Sequence, residues 1–215
     1  MVQLEVWGPY ACFTRPELKS ERMSYDVMTP SAARGILEAV LWHPGLQWHV
    51  DRIYVMSPVK WTSIRRNEVK DKISLSNVRP VAEGRSNKPL YLVTSDSITQ
   101  RAALVLQDVH YVIEAHFEMT PKASAEDSPE KFINMFNRRA RKGQCWHMPY
   151  FGCREFPVSF RLWEDGPVPT IDETRDLGLM FYDFDYTDMT RVEPTFFRAE
   201  MESGVVQVAG KGVLR

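Results

Sequence analysis

The stretch EKFINMFNRRARKGQCWH, residues 130–147, brings Arg138, Arg139, Arg141 and Lys142 within five positions of one another. Cations at that density suit an array of phosphates, because arginine offers each phosphate a two-pronged fork and lysine a point charge. A second basic stretch, Lys60 to Lys88, carries Arg65, Arg66, Lys70 and Lys72 and has a net charge of +5. Lys131 to Arg154 holds six basic residues and no acidic one, whereas Glu155 to Glu202 has a net charge of -8. The 215-residue chain sums to only -1, so the total conceals a division. The pattern points to a polyanion-binding face and to an acidic surface left for solvent or basic partners. Trp61 and Trp146, near the two clusters, are candidates for stacking on unpaired bases.

Other constellations carry less. Cys145-x-His147 followed by Cys153 has irregular spacing and no fourth ligand, so no metal site is assigned. His110, Glu114, His116 and Glu118 fall on one side of a strand, where a half-exposed sheet face accounts for them. A G-x-x-x-x-G-K-[ST] loop and a G-x-S-x-G elbow are both absent, which argues against nucleotide hydrolysis and serine hydrolase chemistry. Three widely spaced cysteines suit reduced thiols. With no signal peptide and no run of about 20 apolar residues, the expected location is the cytoplasm.

Strands and helices must hold these groups. VQLEVW (2–7) alternates as a strand, and Thr29-Pro30 caps a helix whose Ala33, Ile36, Leu37, Val40 and Leu41 share a face up to His43-Pro44-Gly45. Residues 48–57 and 108–119 read as strands from their β-branched and aromatic content. The basic stretch between them, 62–100, reads as a long loop or irregular insertion. In the second helix Phe132, Met135, Phe136 and Ala140 form the apolar stripe, and Gly143 ends it. Residues 157–163 add a strand. The resulting βαβ-βαβ order predicts an α+β, ferredoxin-like domain over 1–150 with a basic insertion around 60–100. Residues 151–215 supply its last strand and a small antiparallel β part built from 179–186, 195–201 and 205–209.

VWGPYACFTRPELKSERMSYDVMTPSAARGILEAVLWHP, SIRRNEV, DVHYVIEAHFEMT, FNRRARKGQCWH, GCREFPVSF and RDLGLMFYDFDY, in that order, closely resemble the Dvulg-subtype (type I-C) CRISPR-associated RAMP family, the fifth Cas family. The resemblance covers nearly the whole chain. It implies an RRM-type RAMP domain, binding of the CRISPR repeat hairpin and metal-independent cleavage of precursor CRISPR RNA. It also implies retention of the crRNA 5′ handle alongside the other subunits of type I-C Cascade, and no cofactor. Whether duplex DNA is a further partner is left open.

The same resemblance assigns catalysis to an aromatic or imidazole residue near the end of the first helix and to a Lys-His pair opening the second. Here those positions are Leu41 and Lys131-Phe132. Leucine and phenylalanine transfer no protons. Lys131, and His43 two residues beyond Leu41, are therefore the candidate catalytic residues, with His147 a second imidazole candidate. The RNA-binding candidates are Arg65, Arg66, Lys70, Lys72, Arg138, Arg139, Arg141 and Lys142. Two readings follow: a repeat-specific endoribonuclease, or a noncatalytic RNA-binding scaffold of Cascade.

Overall fold

The computed structural model describes residues 1–18 and 20–214. In β1 (Val2–Ala11), Val2, Leu4 and Val6 are buried, as the strand period of two requires. Thr29 Oγ1 accepts the Ala32 N–H at 3.3 Å and Pro30 occupies the first position of α1 (Pro30–Val40). That helix buries Ala33, Ile36, Leu37 and Val40. β2 (Leu46–Val55) follows the His43-Pro44-Gly45 turn.

Residues 60–100 depart from the expected loop. They contain β3 (Lys60–Val69), α2 (Leu75–Ala82), α3 (Thr94–Ser97) and the start of the 22-residue β4 (Ile98–Met119), with which β3 pairs. The half-buried side of β3 carries Ile64, Arg66 and Glu68, and Glu68 lies 3.4 Å from Arg66 and 3.5 Å from Arg101. Charged side chains occupy positions where an apolar period would have announced the strand. α2 buries none of its residues and contains Pro80, so neither packing nor propensity marks it in the sequence. Residues 63–103 form a compact unit of their own.

The remaining unit comprises 1–62 and 104–215. α4 (Pro129–Arg141) connects β4 to β5 (Ser159–Leu162). The strands run β5-β1-β4-β2, each pair antiparallel, with α1 and α4 as the two crossovers: the expected ferredoxin-like order. β1 meets β4 from Val2 opposite Ala115 to Ala11 opposite Leu106. The C-terminal β part is continuous with this sheet. β6 (Arg175–Asp185) and β7 (Glu193–Glu202) form a hairpin, and β8 (Val205–Gln207) joins it to β2 through Ile53 opposite Val206. No helix among the described residues is long and apolar enough to cross a membrane.

An ion pair locks the C-terminal hairpin onto α1. Arg34 donates from Nε to Asp183 Oδ2 at 2.6 Å and from Nη2 to Oδ1 at 3.0 Å, while Nη1 reaches Glu38 at 2.6 Å. Burial works against the guanidinium charge, but the bonds to Asp183 and Glu38 outweigh it and raise the Arg34 pKa further. Asp183 is thus a structural anchor within the acidic segment, not a free surface charge. Asp183→Ala leaves Arg34 with Glu38 alone and is expected to cost about 2–3 kcal/mol, less than the full loss of a buried pair. A urea midpoint unchanged from the parent protein would contradict this.

Candidate nucleic-acid interface

α4 begins where Ser128 Oγ accepts the Lys131 N–H at 3.2 Å, with Pro129 at the first position and Glu130 in the first turn facing the helix dipole. It ends at Gly143, whose φ of +62° is open to glycine at little cost, and the Gln144 N–H closes the motif on the Arg139 carbonyl at 2.9 Å. Phe132, Phe136 and Ala140 are buried. Phe136 packs 4.9 Å from the Trp48 ring and Phe132 6.1 Å from that of Phe117, centroid to centroid. This anchoring fixes the rotation of the helix. Lys131, Asn134, Arg138, Arg141 and Lys142 consequently share its exposed side.

The four clustered cations are not equivalent. Arg139 Nη1 donates to the Val40 carbonyl at 2.8 Å and so caps the end of α1. Arg141 forms a two-pronged pair with Glu164 at 3.1 and 2.7 Å, both side chains exposed. The side chains of Arg138 and Lys142 are exposed and make no hydrogen bond or ion pair among the described residues. The i, i+3 and i+4 rule for helix faces is the signal that could have separated Arg139 from the others, since it flanks Phe136 and Ala140.

At the other end of the helix, Lys131 Nζ meets Asp127 Oδ1 at 2.9 Å and the Glu126 carbonyl at 3.3 Å. The Ser124 N–H bond, then Lys131 and the Ser124 hydroxyl, hold the Asp127 pKa down at about 2. The D-x-x-x-K spacing, i and i+4, is the local sequence signal of this pair. The His43 ring lies 5.0 Å from that of Phe132. His43 Nδ1 accepts the Gly45 N–H at 3.0 Å, so the neutral ring carries its proton on Nε2. A Cβ on Gly45 would come within 2.8 Å of Ala123 Cα, so only glycine admits this approach. The Thr120 N–H and hydroxyl donate to the Gly45 and Pro44 carbonyls at 3.0 and 2.6 Å and pin the loop leading to α4.

Leu41 and Phe132 are both core residues, 2% and 1% exposed. His147 lies elsewhere, exposed at a cavity of about 490 Å³ with Thr29, Ser31 and Tyr150. In the 63–103 unit, Arg65, Lys70 and Lys72 are exposed, whereas Arg66 faces Glu68. Among the described residues no three His, Cys, Asp or Glu side chains are grouped to hold a metal ion. Cys153 lies instead beside Thr14 and Arg22, its sulfur 3.9 and 3.5 Å from them.

The sheet face turned away from the helices is a poor polyanion surface. Glu5 binds His110 at 2.7 Å and pairs with Arg161; Glu114 accepts from Gln3, Arg52 and Tyr54 at 2.8, 3.2 and 3.0 Å. His116 pairs with Asp51 at 2.9 Å and stacks on His49. The histidines and carboxylates that the sequence places on one strand face are thus partners in a cross-strand network.

A ferredoxin-like sheet prolonged by a C-terminal hairpin, with exposed unpaired cations along one of its helices, is the architecture of a RAMP-type protein. The chain belongs to the Cas5d family: the model described as CRISPR-associated protein (Cas_Cas5) matches residues 1–209. It is 50% identical over 213 residues to the protein named CRISPR pre-crRNA endoribonuclease Cas5d of Mannheimia succiniciproducens, covering 96% of this chain and 94% of the relative. The protein of the same name from Thermus thermophilus is 42% identical over 198 residues, covering 92% of this chain and 79% of that one. A crystal structure of a CRISPR-associated protein superposes with a TM-score of 0.70 at 22% identity, covering 100% of this chain and 96% of the other. One chain of a CRISPR RNA-guided surveillance complex does so with 0.51 at 11%, covering 99% and 88%. At these identities the two structures share the fold.

Arg138→Ala and Lys142→Ala are each expected to flatten the log-log salt dependence of oligonucleotide binding by roughly 0.7–0.9 without loss of stability. Arg139→Ala is expected to cost about 1–2 kcal/mol of stability through the lost cap. The reverse pattern in parallel binding and unfolding titrations would contradict the division.

Proposed function

We propose that the chain is a pre-crRNA endoribonuclease that binds the CRISPR repeat hairpin, cuts it without a metal and keeps the crRNA 5′ handle as a subunit of type I-C Cascade. The observation that carries this reading is the position of Lys131. It stands at the head of the α4 cationic stripe, with His43 against the adjoining Phe132. From Lys131 to Lys142 the stripe extends about 16 Å at 1.5 Å per residue, long enough to follow several phosphates. Relatives at 50% and 42% identity bear the endoribonuclease name. Duplex DNA is a further polyanion that the same stripe suits by charge alone.

In the proposed reaction the 2′-hydroxyl of one nucleotide attacks the adjacent phosphorus, the bond to the 5′-oxygen breaks, and a cyclic phosphate and a 5′-hydroxyl result. Lys131 exchanges its contact with Asp127 for the phosphorane oxygens, whose charge is greatest in the transition state. His43, with Nδ1 engaged by the Gly45 N–H, steadies the leaving 5′-oxygen by a hydrogen bond from Nε2–H, and solvent supplies the proton that makes it a hydroxyl. Solvent takes the 2′-hydroxyl proton, because neither Leu41 nor Phe132 can. Burial of those two side chains also favours a second reading, in which the chain holds RNA as a noncatalytic scaffold.

Cleavage of the cognate repeat RNA in EDTA separates the two. The endoribonuclease reading expects product with a 5′-hydroxyl, loss of most cleavage in Lys131→Ala with binding retained, and a rate lowered on the order of 100-fold in His43→Ala. No cleavage by the parent protein, together with tight binding, would establish the scaffold.

A further inference from the structure

Two indoles face water at the end of α1. Trp146 is 83% exposed and Trp42 62%, and neither ring contacts another aromatic side chain among the described residues. Neither is loosely attached. The Trp146 backbone N–H donates to the Ala39 carbonyl at 2.8 Å, and Trp42 follows Leu41, whose backbone N–H donates to the Leu37 carbonyl at 2.9 Å. The same helix end receives the Arg139 guanidinium on the Val40 carbonyl. Backbone bonds and the Arg139 cap thus fix the chain at both residues while their side chains stay largely in solvent. Burying an indole is strongly favourable, so a folded chain that fixes two of them in solvent keeps them for something outside itself.

The flanking charge narrows what that is. Trp146 lies four residues beyond Lys142, at most about 14 Å along the chain, and Lys142 and Arg138 are the unpaired cations of α4. Flat aromatic faces beside free cations match the two parts of a single-stranded nucleotide, its base and its phosphate. The sheet, where ferredoxin-like RNA-binding modules present their stacking aromatics, offers little here. Its Trp7 makes an edge contact with His110 at 6.1 Å, among the carboxylates described above.

We propose that Trp146 and Trp42 form a stacking platform for unpaired bases of the bound RNA, next to the phosphate contacts of Arg138 and Lys142. This rests on the RNA-binding reading and adds to it a specificity for single-stranded nucleotides over bare ribose phosphate. Stacking is tolerant of base identity, so the platform selects unpaired RNA without selecting a sequence.

The test compares a short oligoadenylate with an abasic ribose-phosphate chain of the same length, on the full-length protein. The parent is expected to prefer the base-containing chain by roughly 5-fold to 150-fold per stacked base. Trp146→Ala and Trp42→Ala are each expected to reduce that preference while leaving the salt slope unchanged, and Trp146→Phe to restore part of it. Both side chains are exposed, so these variants are expected to unfold at the parent's denaturant midpoint. Equal affinity of the parent for both chains overturns the platform but leaves phosphate binding standing, as does an unaltered preference in both alanine variants. Binding of neither chain overturns the platform together with the RNA-binding reading.

Discussion

Burial of Phe132, Phe136 and Ala140 against the sheet is the constraint on which the rest depends. These three residues, four apart, fix how α4 is turned, and that turn decides which of its cations meet water. Lys131, Arg138 and Lys142 are left on the outer side, while Arg139 is carried to the last carbonyls of α1. Phe132 then does two things at once. It fills the core beside Phe117, and it supplies the surface on which the His43 ring rests. A polar residue at that position would have to find a hydrogen-bond partner inside the core, so packing and chemistry at Phe132 are one constraint.

Charge is distributed accordingly. The acidic C-terminal segment is partly consumed in holding the fold, through Asp183 on Arg34 and Glu164 on Arg141. The sheet face away from the helices satisfies its carboxylates internally, by Glu5 with His110 and Arg161 and by Glu114 with Arg52 and Tyr54. What remains unpaired and positive in this unit includes the outer side of α4, with two anchored tryptophans near its end. In the 63–103 unit, Arg65, Lys70 and Lys72 stay exposed on β3 and the turn that follows it.

Much of this was legible in the sequence, and the exceptions have physical causes. β1, α1 and α4 carry strong apolar periods, and their caps, Thr29-Pro30 and Ser128-Pro129, are local signals. β3 shows no apolar period because Arg66 and Glu68 occupy its half-buried side, where Glu68 lies 3.4 Å from Arg66 and 3.5 Å from Arg101. The cluster at 138–142 was visible as a charge density, but its division depends on where Glu164 and the α1 carbonyls fall in space. His43 could be named from its closeness to Leu41. Its tautomer could not, because that is set by the Gly45 N–H and by a turn held closed from the distant Thr120.

The central claim is that RNA lies along the outer side of α4, from Lys131 to Lys142. Amine-reactive footprinting reads it directly, by mass spectrometric quantification of acetylation at each lysine with and without the repeat RNA. The account expects Lys131 and Lys142 to be protected, and Lys211, paired with Glu200 in the C-terminal β part, to react as before. Undiminished labelling of Lys131 and Lys142 in a saturated complex would contradict it.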